Sequence, residues 1–407
     1  YINAVYSMTS KMGKNIIILG AGFGGLTAAN ILRKNLPEEH RITVIDKNEY
    51  FMMGLVNLWI LSGFRTLKDS RVALNKLENK GIKFLNDEII SININANSSV
   101  TTKIYHKLDY DYLIVALGAE LAPEKINGFV DGDGMCFNLY DSEQIPRLRE
   151  KIFSIKKGRI AICIADIPYK CPPAPYEASL LINDMLVKNG TRDYVDIDFY
   201  TPPSMSLPVA GPKISQDIVT LLNSRGINFH ESHKIRSLLS NKQNIIEFDN
   251  GNRAKYDVLI VIPPHKVPDV IRNSDLIRQK QKQKNWIEVD KFTLKTDFKN
   301  VYAIGDVTDI KVNGTASIPK AGIFAEGEAR TVSQQIINEI TDNRSSTPKF
   351  DGKGYCFMEV GDKKAGYIDV DFYNDDGPKT LLEPPSEDSY KKKIDFERSR
   401  VNDWLLL

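Results

Sequence analysis

The sequence predicts an α/β protein built from two dinucleotide-binding units followed by a C-terminal domain, and three observations carry that reading. The first is Gly20-Ala21-Gly22-Phe23-Gly24-Gly25, which follows the apolar run Asn15–Leu19 and opens a helical pattern, with Asp46 closing the next strand. Glycines form the turn, the helix N-terminus takes a pyrophosphate, and the carboxylate takes a ribose. The second is the repeated alternation of strand and helix patterns. The third is a partial duplication: residues 255–261 repeat the pattern of residues 111–118. The strand of the second copy, 159–164, runs into Ala165-Asp166-Ile167-Pro168-Tyr169-Lys170-Cys171, where no glycine occurs. A cysteine thus stands where a second nucleotide loop is expected.

The elements follow in order. A helix over 26–36 and a strand over 41–45 complete the first βαβ unit. Residues 81–90 and 100–106 read as a small antiparallel insertion, and 111–118 as a buried strand ending at glycine. Residues 138–154 read as a linker and helix. In the second unit a helix starts near Pro175, where proline suits the first turn, and runs to Val187. A strand over 196–200 and a helix over 213–224 follow. Residues 273–286 turn polar and basic, which suits a surface segment returning the chain to the first unit. The expected division is a Rossmann-like first part at 14–135, a second Rossmann-like unit at 136–285, a return segment at 286–345 and a C-terminal domain at 346–407.

Composition narrows the function. The chain has 407 residues, with 54 basic against 52 acidic side chains and a net charge of +2, so no nucleic-acid footprint appears. The longest apolar stretch, 51–60, is too short to span a bilayer. Residues 1–13 carry no signal-peptide core, which leads to the expectation of a cytoplasmic protein or one on the cytoplasmic face of a membrane. Met8 and Met12 precede the first strand, so the opening residues read as an extension without function. The five histidines lack ligand-like spacing and read as surface or loop residues. No metal site is expected.

A strand ending in Gly305-Asp306 lets the backbone approach a phosphate while the carboxylate accepts from a ribityl hydroxyl. Placed in one chain with the first glycine loop, it points to FAD, held by Gly20, Gly22, Gly25, Asp46 and Asp306. Lys320 starts the next helix, where a cation is unfavourable unless a negative group faces it. The anionic edge of a reduced flavin is such a group; a solvated helix-end charge is the alternative. Cysteines stand at 136, 163, 171 and 356. Cys163, inside an apolar strand, reads as a buried hydrophobe. Cys171 lies between a lysine and two prolines at the C-terminal end of a strand, where open parallel sheets bind ligands. Lys170 is a candidate cation for lowering its thiol pKa. Glu177 is a candidate proton acceptor, or simply a favourable first-turn carboxylate.

These residues resemble the sulfide:quinone oxidoreductases, a flavoprotein group with disulfide-oxidoreductase-like architecture that also holds flavocytochrome c sulfide dehydrogenase and the alternative NADH dehydrogenases. The most specific match is Cys171-Pro172-Pro173-Ala174-Pro175-Tyr176-Glu177; Tyr355-Cys356-Phe357 and Gly134-Met135-Cys136 match the positions of the other two family cysteines. The resemblance implies a redox pair, Cys171 and Cys356, that takes sulfide to a persulfide and passes electrons through FAD to a membrane quinone, with Cys136 nearby. It implies that Tyr355 and Phe357 contact the quinone ring. Pro173 and Ala174 are closer to the flavocytochrome variant, which passes electrons to a cytochrome. An alternative NADH:quinone dehydrogenase would need the second glycine loop. A homo-oligomer is left open.

The C-terminal segment 390–407 mixes Lys391, Lys392, Lys393, Arg398 and Arg400 with Ile394, Phe396, Val401, Trp404 and Leu405–Leu407. Basic residues beside an apolar and aromatic surface suit an interfacial anchor on a membrane. A helix packed on its own domain is the alternative.

Overall fold

The computed structural model describes residues 13–95, 98–130, 134–239, 244–277, 286–313, 316–343 and 345–407. Met8 and Met12 therefore lie outside the described residues, as do 278–285 of the polar return segment.

The first unit begins with β1 (Asn15–Leu19), helix α1 (Phe23–Asn35) and β2 (Arg41–Asp46). A short helix, α2 (Val56–Ser62), precedes β3 (Lys83–Asn86) and β4 (Tyr112–Val115). Residues 16–19 are all buried, as a strand covered on both faces requires. The segment read as an insertion is divided in the structure. Residues 83–86 pair parallel with β2, because Phe84 and Leu85 are both buried and need cover on two faces. The antiparallel piece is instead Ile89–Asn93, Ser99–Thr102 and His106–Asp109.

The second unit contains β5 (Cys136–Asn138), α3 (Ile145–Ser154), β6 (Gly158–Ile164), α4 (Ala174–Lys188), β7 (Val195–Tyr200), α5 (Gly211–Ser224), β8 (Ile227–His230) and β9 (Val258–Ile262). Its five strands are all parallel, in the order β5–β9–β6–β7–β8. The two-residue strand β10 (His265–Lys266) then pairs antiparallel with Glu120–Leu121, tying the two units together.

The chain returns as β11 (Val301–Ala303), which adds to the first sheet to give the order β11–β4–β1–β2–β3. Helix α6 (Gly322–Ile340) follows and packs against α1. An antiparallel sheet of β12 (Lys353–Gly361), β13 (Lys364–Asp371) and β14 (Lys379–Ser386) comes next, then helix α7 (Glu387–Val401). Ser386 caps α7 by accepting from the Ser389 N–H, and Glu387 and Asp388 suit its positive end. The C-terminal ends of β1 and β11, the start of α4 and the strand β12 converge on one cavity.

Candidate active site

The cavity has a volume of about 870 Å³ and is lined by the glycine loop, the Cys171 loop, the Gly305-Asp306 turn, β12 and α7. One end is built by the glycine loop. Gly20 has φ +99, and a Cβ there would lie 2.3 Å from the Ala116 carbonyl oxygen, so only glycine fits. A Cβ on Gly25 would lie 1.9 Å from the Gly20 carbonyl oxygen; this residue secures helix-on-strand packing and does not line the cavity. Gly22 is the N-cap of α1 and faces open space, and no side chain caps the helix. That leaves first-turn N–H groups and a positive dipole end for a phosphate. Asp46 lines the same end; its Oδ2 accepts from the Ala21 N–H at 2.7 Å, and its Oδ1 from Asn48. A dinucleotide fits this cradle: an uncapped helix end, an open glycine and a carboxylate at the strand end.

Gly305 and Asp306 form another wall. Burial raises the Asp306 pKa, opposed by Lys320 and Lys170. Lys320 is buried rather than solvated, and its Nζ donates to the carbonyls of Asp306 at 2.7 Å and Thr308 at 3.1 Å. It lies 3.4 Å from the centre of the Trp286 ring, and burial lowers its pKa to about 8. Behind this wall the buried Glu328 accepts from the Gly305 N–H at 2.6 Å. Burial raises its pKa to about 8.

Cys171 and Cys356 line this cavity together, brought there by the α4 loop and β12. They are close enough for the charge of one to raise the thiol pKa of the other. Burial pushes Cys171 up to about 12, and Glu177 adds to that, while Lys393 opposes it. The cation acting on Cys171 is thus Lys393, on α7, and not the sequence neighbour Lys170. Cys171 has left-handed backbone, φ +53, which turns its side chain independently of the preceding residue. The Lys170 ammonium lies instead over the Tyr140 ring at 6.0 Å.

Behind the cysteines is a buried charge cluster, of which only Glu177 was read from the sequence as a site residue. Lys393 Nζ donates to Glu177 Oε1 at 2.5 Å and to Glu359 Oε2 at 3.0 Å. Glu359 also accepts from the Trp59 indole at 3.1 Å, and Glu177 from the Glu359 N–H at 2.8 Å. Burial disfavours the Lys393 ammonium, but the two carboxylates more than offset it and hold its pKa above the usual value. Burial outweighs the lysine at Glu177, whose pKa is raised. The signal that could have found Lys393 is helical spacing. Tyr390, Lys393, Ile394 and Glu397 recur at i, i+3, i+4 and i+7, which puts this lysine on an inward face.

The tail is therefore packed on its own domain over most of its length. Trp404 is buried against Phe23 and Phe51, with ring centroids 5.2 and 5.7 Å away. Arg400 pairs with Glu326 at 2.7 Å and donates to the Tyr355 hydroxyl at 3.1 Å. Only Lys391, Lys392, Arg398 and the tip Leu406–Leu407 keep the exposure expected of an anchor. Tyr355 and Phe357 line the cavity and cluster with Tyr367 and Phe396. Alternation along β12 separates them from Cys356, which packs with the opposite core.

Cys136 does not line the cavity. It lies in the core on the outer face of the second sheet, with Ala161, Cys163 and Leu259, and its Sγ is 3.5 Å from the Tyr256 hydroxyl. The β5–β9 register sets Cys136 opposite Leu259, so alternation turns this cysteine to the Leu259 and Cys163 face, while Phe137 and Ile260 take the face that packs with α4. Cys163 is fully buried there, as expected of a small hydrophobe. Two histidines are buried, contrary to the surface reading: His40, whose Nδ1 accepts from the Lys14 N–H, and His265, which bonds to the cysteine loop.

Residues 14–163 and 202–329 match the family model of the pyridine nucleotide-disulphide oxidoreductases. The chain is 30% identical over 313 residues to the mitochondrial sulfide:quinone oxidoreductase of Dictyostelium discoideum, covering 74% of this chain and 67% of that protein. It is 27% identical over 375 residues to the sulfide-quinone reductase of Aquifex aeolicus, covering 88% and 84%. The crystal structure of the sulfide:quinone oxidoreductase from Aquifex aeolicus superposes with a TM-score of 0.81 at 23% identity, over 97% of this chain and 92% of that one.

Proposed function

The chain belongs to the pyridine nucleotide-disulphide oxidoreductase family and, within it, to the sulfide:quinone oxidoreductase group, and we propose that it oxidises sulfide at Cys171 and Cys356 and delivers the electrons through FAD to a membrane quinone. As a member of that family it is an FAD-binding oxidoreductase. The observation that carries the substrate reading is the cavity itself. Two cysteines far apart in sequence share its wall with Gly20, Gly22, Asp46 and Asp306.

In the proposed reaction hydrosulfide attacks one sulfur of the oxidised Cys171–Cys356 pair. The S–S bond breaks, a persulfide forms on the attacked cysteine, and the other leaves as a thiolate with the electron pair. A second hydrosulfide takes the outer persulfide sulfur and frees the attacked cysteine as a thiolate; when bound, FAD would supply the two-electron acceptor for re-forming the S–S bond from the two thiolates and the two-electron donor for quinone. A thiolate in so buried a site is costly, and the residues around it act on that cost. Lys393 favours the charged sulfur and Glu177 disfavours it, so the cluster sets where the proton rests. Lys320 lines the same wall as Asp306 and would favour a bound flavin in its reduced, anionic form. Tyr355, Phe357 and Phe396 supply flat apolar surface for a quinone ring on the other side of β12.

No helix among the described residues is long and apolar enough to cross a membrane. We place the membrane contact at the exposed Phe64, Leu406 and Leu407, which the Arg65–Glu397 ion pair and the chain end bring to the α7 side of the molecule. The test is anaerobic. Sulfide added to the FAD-loaded protein bleaches the flavin and a quinone analogue restores its colour, whereas NADH does neither. Rapid bleaching by NADH with no response to sulfide would overturn the proposal.

A further inference from the structure

We infer that Tyr140 and His265 are positioning residues that hold Cys171 in its left-handed conformation on the cavity wall it shares with Cys356; this rests on reading those two cysteines as the redox pair. Cys171 is a non-glycine residue with φ +53, a conformation that persists only where the surroundings impose it. Its own N–H donates to the Lys320 carbonyl at 2.7 Å, which fixes one side of the residue to the FAD wall. Lys170, the residue before it, is held through both of its backbone polar groups. The Tyr140 hydroxyl donates to the Lys170 carbonyl at 2.7 Å, with a longer contact to the Cys171 carbonyl at 3.4 Å. The Lys170 N–H donates to His265 Nε2 at 3.3 Å.

His265 is suited to that role. Its Nδ1 lies 2.9 Å from the Pro263 carbonyl, which can only accept, so Nδ1 carries the proton and Nε2 is left as the acceptor. Burial drives its pKa down to about 3, so the acceptor persists at ordinary pH. The Tyr140 and His265 rings meet edge to face, with centroids 5.8 Å apart. Tyr140 comes from the loop after β5 and His265 from the strand that joins the two units. The polar atoms of both side chains are spent on the backbone of Lys170 and Cys171 and on the Pro263 carbonyl. Removing either clamp lets the backbone relax toward ordinary φ, which swings the sulfur away from its partner.

The test is the thiol–disulfide equilibrium of the FAD-loaded protein in glutathione buffers, with Cys171–Cys356 linkage read by mass after trapping. Two protein thiols become a disulfide as glutathione disulfide takes up the two electrons and two protons and is released as two thiols. Tyr140→Phe and His265→Leu are each expected to lower the equilibrium constant roughly tenfold, about 30 mV for this couple. His265→Gln, which keeps an acceptor, is expected nearer the wild type. The thermal midpoint is measured alongside. A lowered midpoint with an unchanged equilibrium constant in Tyr140→Phe would overturn the inference, and that variant decides alone should His265→Leu fail to fold. If the wild type forms no Cys171–Cys356 disulfide in any buffer, the cysteine-pair reading itself fails and the positioning role falls with it.

Discussion

Replacing Lys393 by methionine keeps most of the volume of the side chain but removes the cation shared by Glu177 and Glu359. All three side chains are at most 5% exposed, and the two ion-pair distances are 2.5 and 3.0 Å. Removing one partner of such a buried pair typically costs about 3–5 kcal/mol, because the charge left behind has neither water nor a counterion. The Trp59 indole and the Glu359 N–H still donate to the carboxylates, so the lower half of that range is expected. The variant should also show a distinct pH dependence. Glu177 already has a raised pKa in the folded protein, and loss of the lysine raises it further. A raised carboxyl pKa contributes stability that is present below the unfolded value and lost as pH rises through the folded one. The deficit of Lys393→Met relative to wild type is therefore largest at pH 8 and shrinks toward pH 5. Urea midpoints at both pH values, with FAD loading held equal, read this directly. Cys171 alkylation should also slow in the variant, since the pull that favours its thiolate is gone. Equal midpoints at pH 8, or a deficit that grows on acidification, would refute the reasoning.

Two further outcomes follow from the same physics. Glu328 is a buried acid with its pKa raised to about 8, so its contribution to stability is full below about 4.5 and is lost as pH rises through 8. Glu328→Gln keeps an acceptor for the Gly305 N–H and should flatten that loss between pH 5.5 and 8.5, as read by thermal midpoints. Truncation after Asp388 removes Lys393 and Trp404 together, so it should abolish flavin bleaching by sulfide and lower stability by several kcal/mol. Bleaching at the wild-type rate in the truncated protein would show that the tail does nothing for the cysteine site.

The glycine loop, Asp46 and Gly305-Asp306 were legible in sequence because each depends on local spacing around a strand end. The Cys171 loop was legible for the same reason: a cysteine between a lysine and two prolines stands at the end of a parallel strand, where such sheets bind ligands. The cluster behind it was not. Lys393, Glu359, Glu177 and Trp59 come from four separate elements, and no local pattern brings them together. The run Lys391–Lys393 looks like a solvated surface, yet helical geometry turns one of its three lysines inward. Lys170 misled because adjacency in sequence does not fix side-chain direction beside a left-handed residue. Cys136 misled because alternation turns it to the Leu259 and Cys163 face of the second sheet, which only the pairing with β9 reveals. The insertion was misdivided because 83–86 is a short strand buried on both faces, and so carries no alternation to mark it.

The pairing of Cys171 with Cys356 is the central claim, and anaerobic sulfide titration of single-serine variants tests it most directly. Flavin absorbance is followed in FAD-loaded wild type, Cys171→Ser, Cys356→Ser and Cys163→Ser. The account predicts that the wild type and Cys163→Ser bleach, the latter with a stability cost of about 1–3 kcal/mol if the hydroxyl is left unpaired. It predicts that Cys171→Ser and Cys356→Ser retain FAD, since neither side chain builds the phosphate cradle, and do not bleach. Wild-type bleaching in either of those two variants would contradict it.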